Sequence, residues 1–80
     1  MKLHIIYTEN DMLLSKKSYT SWREIQDEFA DYKTSLGPWS DKEVVEFLSD
    51  EYSDLQPTAQ EQVTALLSEN EEIRKVSFRS

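Results

Sequence analysis

The sequence predicts an α+β fold: a small antiparallel sheet from the terminal strands packed against three helices, in the order β(β)αααβ. Three observations predict it. Short stretches of strand character stand at both ends, Lys2 to Tyr7 (KLHIIY) and Ile73 to Arg79 (IRKVSFR). Between them Ser21-Trp22-Arg23-Glu24, Ser40-Asp41-Lys42-Glu43 and Thr58-Ala59-Gln60-Glu61 each match the helix capping box. Apolar residues at helical spacing follow each of the three. The 80 residues hold one domain, 1–80, and a chain of this size buries only about 60% of its unfolded surface.

The first strand places Leu3, Ile5 and Tyr7 on one side. Thr8-Glu9-Asn10-Asp11 has turn chemistry, and Met12 to Lys17 (MLLSKK) returns as the second half of a hairpin, although it suits a helix equally well. In each capping box the hydroxyl accepts from the third helical N–H, and the Glu side chain reaches back to the cap's own N–H. Helix one spans about 21–33 and buries Trp22, Ile25, Phe29 and Tyr32; Leu36-Gly37-Pro38 ends it, with the chain's single Gly sited for a left-handed terminal residue. Helix two, about 40–51, offers Val44, Val45, Phe47 and Leu48, then Tyr52 and Leu55. Trp39 before its cap and Val44 after it make a hydrophobic staple. Helix three, about 58–69, offers Ala59, Val63, Leu66 and Leu67, and Pro57 blocks extension of any earlier helix. The tail alternates after Glu72, with Val76 and Phe78 on one face, and its strand pairs with the first.

Charge is segregated. Residues 1–23 carry Glu9 and Asp11 against Lys2, Lys16, Lys17 and Arg23, a net of +2, and residues 73–80 carry Arg74, Lys75 and Arg79 without an acid, a net of +3. The middle, 24–72, has 14 acids against Lys33 and Lys42 alone, a net of −12, so the overall −7 conceals a polarised molecule.

The residues for chemistry are mostly missing. No Cys excludes a disulfide framework and thiolate zinc, which fits a reducing cytosol. No run approaches 18 apolar residues and the Met1-Lys2 start lacks a signal-type apolar core, so a cytoplasmic protein is expected. His4 is the lone histidine and builds neither a metal site nor a triad by itself. No Gly-rich phosphate loop, nucleophile motif or Ca²⁺-binding loop occurs, and carboxylate pairs such as Asp50 and Asp54 recur by chance in so acidic a chain. The expectation is a protein that is not an enzyme and uses no cofactor or metal. Nucleic acid as a direct partner is opposed by the acids of the helices, because a recognition helix carrying Glu43, Glu46 and Asp50 has the wrong sign.

At 100° per residue, helix one gathers Glu24, Asp27, Glu28 and Asp31 away from its apolar side. Helix two does the same with Glu43, Glu46 and Asp50, and Asp54 continues the line if helicity persists. Helix three sets Glu61, Glu69 and Glu72 opposite its apolar side. Like charges one turn apart, about 5–6 Å, destabilise a helix, so their repetition calls for an explanation. Solubility is one. A surface for a basic partner is the other: rows of carboxylates approximate phosphate rows and occupy a Lys/Arg groove built for nucleic acid.

In its length, acidity, lack of Cys and Met1 start, the chain resembles the small acidic inhibitors of phages and mobile elements, the DNA-mimic anti-restriction and anti-CRISPR proteins. The likeness is to a type without a common motif, so it carries no residue across. It implies blockade of the basic surface of a host-defence or nucleic-acid-processing protein, inside the host cytoplasm. Glu24, Asp27, Glu28, Asp31, Trp39, Glu43, Glu46, Asp50 and Asp54 are the candidate contact residues. The alternative is a small regulatory or adaptor module in which Trp39, Tyr19 or Tyr52 anchors a protein–protein contact and the acids form its rim.

Overall fold

A computed structural model describes residues 2–79. Its elements are β1 (Lys2–Thr8), β2 (Met12–Ser15), α1 (Trp22–Glu28), β3 (Tyr32–Ser40), α2 (Asp41–Glu51), α3 (Ala59–Ser68) and β4 (Ile73–Lys75). The four strands form one antiparallel sheet in the order β3-β1-β2-β4, so the fold is α+β. Both terminal strands belong to this sheet, but they are not neighbours as expected. Strand β1 pairs through one edge with β2 and through the other with β3, which leaves β4 only the outer edge of β2. The last strand is also shorter than the sequence suggests, and Phe78 instead meets Leu55 in an isolated bridge.

Strand β3 is the element the sequence concealed. The first helix stops at Glu28, and the stretch expected to be its last turn and its exit loop runs back along β1 as a nine-residue edge strand. Of the four residues expected to be its buried side, only Ile25 is buried; Trp22 is 54% exposed. Gly37 lies inside β3 rather than behind a helix. It adopts φ +118°, and a Cβ there would stand 2.6 Å from the Leu3 carbonyl oxygen. Only glycine accommodates both the left-handed backbone and the approach, here beside the register shift between the Leu3 and Ile5 pairs.

Alternation along β1 sorts the helices onto two faces. Leu3 and Ile5, with Met12 and Leu14 of β2, pack against Val44 and Leu48 of α2, Ala59, Val63 and Leu66 of α3, and Val76. The other face carries His4, Ile6 and Ser15, all buried, and Ile25 of α1 lies over it beside His4 and Ser35. Helices α2 and α3 begin where their capping boxes predict, with both reciprocal hydrogen bonds formed at Ser40/Glu43 and at Thr58/Glu61. Ser21 makes no side-chain cap; Glu24 Oε1 instead accepts from the Thr20 N–H at 2.6 Å.

Two polar ties hold α3. Buried Gln62 donates to the carbonyls of Pro57 (2.7 Å) and Ser77 (2.9 Å) and accepts from the Ser77 N–H (2.9 Å), which docks the C-terminal segment. Lys16 donates to the Leu66 and Glu69 carbonyls at 2.8 and 2.6 Å, placing a cation where the end of α3 is negative. No helix among the described residues is long and apolar enough to cross a membrane.

Candidate partner-binding face

The acidic side of α2 is built by the junction from which the helix starts. Ser40 is at once the last residue of β3 and the cap of α2, so strand pairing fixes the direction of the helix. Trp39, one residue earlier, pairs in register with Leu3. Its half-buried ring meets Phe47 edge-on, with centroids 5.4 Å apart. Beside this aromatic pair lie Glu43, Glu46 and Asp50, and the five side chains line one shallow depression of about 260 Å³. All three acids are exposed. Glu43 accepts from the Ser40 N–H at 3.0 Å, and the backbone and side-chain hydrogen bonds of Ser40 hold its carboxyl below the ordinary value. Among the described residues no cation lies within ion-pair distance of Glu43, Glu46 or Asp50, although Lys2, which faces Ser40 across the strands, adds to the lowering at Glu43. Asp54 does not extend this line, because α2 ends at Glu51 and Tyr52 is already extended. Its carbonyl accepts from the Arg79 N–H instead.

The acids of α1 have different surroundings. Glu28 pairs with Lys17 and accepts from the Tyr19 hydroxyl at 3.2 Å, and the same carboxylate holds the Lys17 ammonium above its ordinary value. Glu24 serves the backbone at Thr20, and of the three helical acids only the Asp27 carboxylate remains without a hydrogen bond among the described residues. Together with Lys17, Ser18 and Tyr19 they line a shallow depression of about 360 Å³ of mixed charge. Asp31 falls in the turn beyond the helix, where its carbonyl accepts from the Glu9 N–H.

Three bases of the terminal segments are likewise engaged within the molecule. Lys75 reaches Asp11 at 2.9 Å and Arg74 reaches Glu69 at 3.4 Å, while Lys16 closes α3. Four of the expected contact residues, Trp39, Glu43, Glu46 and Asp50, therefore come together with their acids unpaired; Glu24, Asp27 and Glu28 form a separate, partly neutralised group; Asp31 and Asp54 leave both helices. Phe47 is the member the sequence assigned to the core. Its place beside Trp39 is set by the start of α2 on β3, which periodicity within the helix does not encode. Among the described residues no cluster of His, Cys, Asp and Glu is arranged to hold a metal ion. No known family matches the chain, and neither a characterised protein nor a solved structure is similar to it.

Proposed function

We propose that this protein is a non-enzymatic inhibitor that presents the acidic face of α2 to the basic, nucleic-acid-binding surface of a host-defence or nucleic-acid-processing protein in the cytoplasm. One observation carries the reading: Glu43, Glu46 and Asp50 stand exposed on one helical face with no ion pair among the described residues, beside the Trp39–Phe47 pair. Like charges so placed weaken the helix, and a partner's Lys and Arg side chains would relieve that repulsion and release the counterions gathered at the carboxylates. The aromatic pair supplies apolar contact at the head of the row, where a purely ionic surface would give rate and register but little grip.

The second reading, an adaptor anchored by aromatics, is favoured by the same Trp39–Phe47 contact and differs in what salt does to it. The deciding experiment captures the binding protein on the immobilised chain and then competes with duplex DNA at low and high salt. Mutual exclusion with DNA and a steep loss of affinity with salt are expected. A captured protein that binds DNA and this chain together, with affinity indifferent to salt, would refute mimicry and leave the adaptor.

A further inference from the structure

The two faces of the sheet are covered unequally. On one, α2 and α3 bury Val44, Leu48, Ala59, Gln62, Val63 and Leu66. On the other, α1 has seven residues, no side-chain cap and one buried residue, Ile25. A helix held by so little sits at the low end of local stability, where opening needs the least free energy. Beneath this thin layer lies the chain's single histidine. His4 is 7% exposed, and its Nδ1 has essentially no accessible surface and no hydrogen-bond partner among the described residues. Tyr19, in the segment that leads into α1, stands edge-on against the His4 ring with centroids 5.0 Å apart, and its hydroxyl is hydrogen-bonded to Ser15 and Glu28.

A neutral imidazole fits this position. With its proton on Nε2 it leaves Nδ1 as a lone pair, and buried acceptors without partners are tolerated better than orphaned N–H groups. The imidazolium does not fit, because Nδ1–H becomes a charged donor sealed from water and from any acceptor. Nothing around the ring supplies a counter-charge. Tyr19 and Ser21 face it from the segment before α1, Trp22 and Ile25 from α1, Ser35 from β3 and Ser15 from β2, and none of these is charged. The Tyr19 hydroxyl, raised by burial, keeps its proton. Lys17 and Glu28 both reach Tyr19 but pair with each other, Arg23 lies over the Trp22 ring, and Glu24 turns to the Thr20 N–H. Asp27 of α1 and Lys33 of β3 do not line the cavity around the ring. Burial accordingly holds the His4 imidazole below its ordinary value of 6.5. The closed layer therefore binds fewer protons than the opened one, so its closure is at full strength above about pH 6.5 and weakens as the pH falls. We propose that residues 18–28 form an acid-released lid: protonation of His4 frees this layer from the sheet while the α2–α3 layer stays closed. The device is independent of the acidic face of α2.

Amide hydrogen exchange of the full chain, read by NMR at about pH 7.5 and about pH 5 and corrected for the intrinsic pH dependence of exchange, tests the lid. An ordinary value of 6.5 in the opened state limits the effect of one histidine to about thirtyfold over this range. Protection of the Phe29 N–H, which donates to the Ile25 carbonyl, and of the other α1 amides should fall by about threefold to thirtyfold. Protection at Leu48, Val63 and Leu66 should change by less than about twofold. His4→Phe keeps a buried ring without a titrating group, and its α1 protection should be flat over the same range. An equal fall throughout the chain, no fall in α1, or no measurable protection of α1 at the higher pH would each overturn the proposal. So would a wild-type response in His4→Phe, which would assign the effect to the carboxylates. Should His4→Phe fail to fold, titration of the His4 ring protons in the wild-type chain decides: a midpoint below 6.5 supports the lid, and one at or above 6.5 overturns it.

Discussion

On α1, Glu28 meets Lys17 and Tyr19 while Glu24 closes onto the Thr20 backbone; on α2, Glu43 meets Ser40, and Glu46 and Asp50 have no hydrogen-bond or ionic partner among the described residues. The two helices carry similar rows of acids, and what distinguishes them is how each begins. A five-residue segment joins β2 to the cap of α1, and it brings Lys17 and Tyr19 onto the helix's own carboxylates. No such segment precedes α2, which starts on the last residue of β3; the cation nearest its start is Lys2 of β1, which acts on Glu43 without forming an ion pair. Counting acids along the chain makes the helices equivalent; their connections make one a partly neutralised surface and the other an open one.

The largest effect is expected where the open helix joins its strand. Gly37→Ala puts a Cβ on a residue at φ +118° and against the Leu3 carbonyl oxygen, in the strand that delivers Trp39 and Ser40 to α2. Strain of this kind costs about 1–3 kcal/mol before the clash is added, so urea unfolding should show a loss above about 2 kcal/mol. A loss below about 0.5 kcal/mol would mean that β3 leaves β1 at this point, and the start of α2 would no longer be fixed by strand pairing.

The comparison is tested directly by neutralising each row. Glu43→Gln, Glu46→Gln and Asp50→Asn together should lower affinity for the basic partner by at least about tenfold, mainly through slower association, with stability little changed because the relief of repulsion offsets the weakened Glu43–Ser40 cap. The matching set on α1, Glu24→Gln, Asp27→Asn and Glu28→Gln, should change binding much less and should lower stability, because it removes the partners of Lys17, Tyr19 and the Thr20 N–H. Equal losses of affinity from both sets, read by surface plasmon resonance, would remove the distinction. No loss from either would make the acids a matter of solvation.

The caps sharpen the same contrast at about 1 kcal/mol. Ser40→Ala removes a formed side-chain acceptor and should cost about 0.5–2 kcal/mol, whereas Ser21→Ala removes none and should fall below about 0.5 kcal/mol in the same denaturation assay. This pair also marks what was legible in the sequence. Helices α2 and α3 could be read because a capping box and a helical apolar row are local signals, complete within about a dozen residues. At Ser21 the tetrapeptide is present, but the helix it opens ends after seven residues and buries Ile25 alone. Strand β3 could not be read as a strand because its support comes from β1, some thirty positions away, and because its Gly37-Pro38 step has the composition of a helix exit. Tyr32, Thr34 and Leu36 do alternate, but three positions are a weaker local signal than the helical spacing of Trp22, Ile25, Phe29 and Tyr32. The row Glu43, Glu46 and Asp50 was legible for the reason α2 was; that it lacks a cation was not, since pairing depends on which segments the fold lays beside it.

The smallest effect concerns the cation that closes α1. Lys17→Met removes the partner of Glu28, and because an exposed ion pair contributes little, the thermal midpoint at moderate salt should scarcely move. Its consequence appears in the response to salt. A chain with net charge −7 is destabilised by its own repulsion, and added salt stabilises it by screening. Without Lys17 the α1 row joins the α2 row as unneutralised charge, so the rise in Tm between low and high salt should exceed that of the wild type. Glu28→Gln on the Lys17→Met background takes away the newly exposed charge and should return the salt response toward the wild-type value. A Lys17→Met variant with an unchanged or smaller salt response would show that Lys17 does not quiet the α1 acids, and the difference between the two helices would then have to come from the partner rather than from the fold.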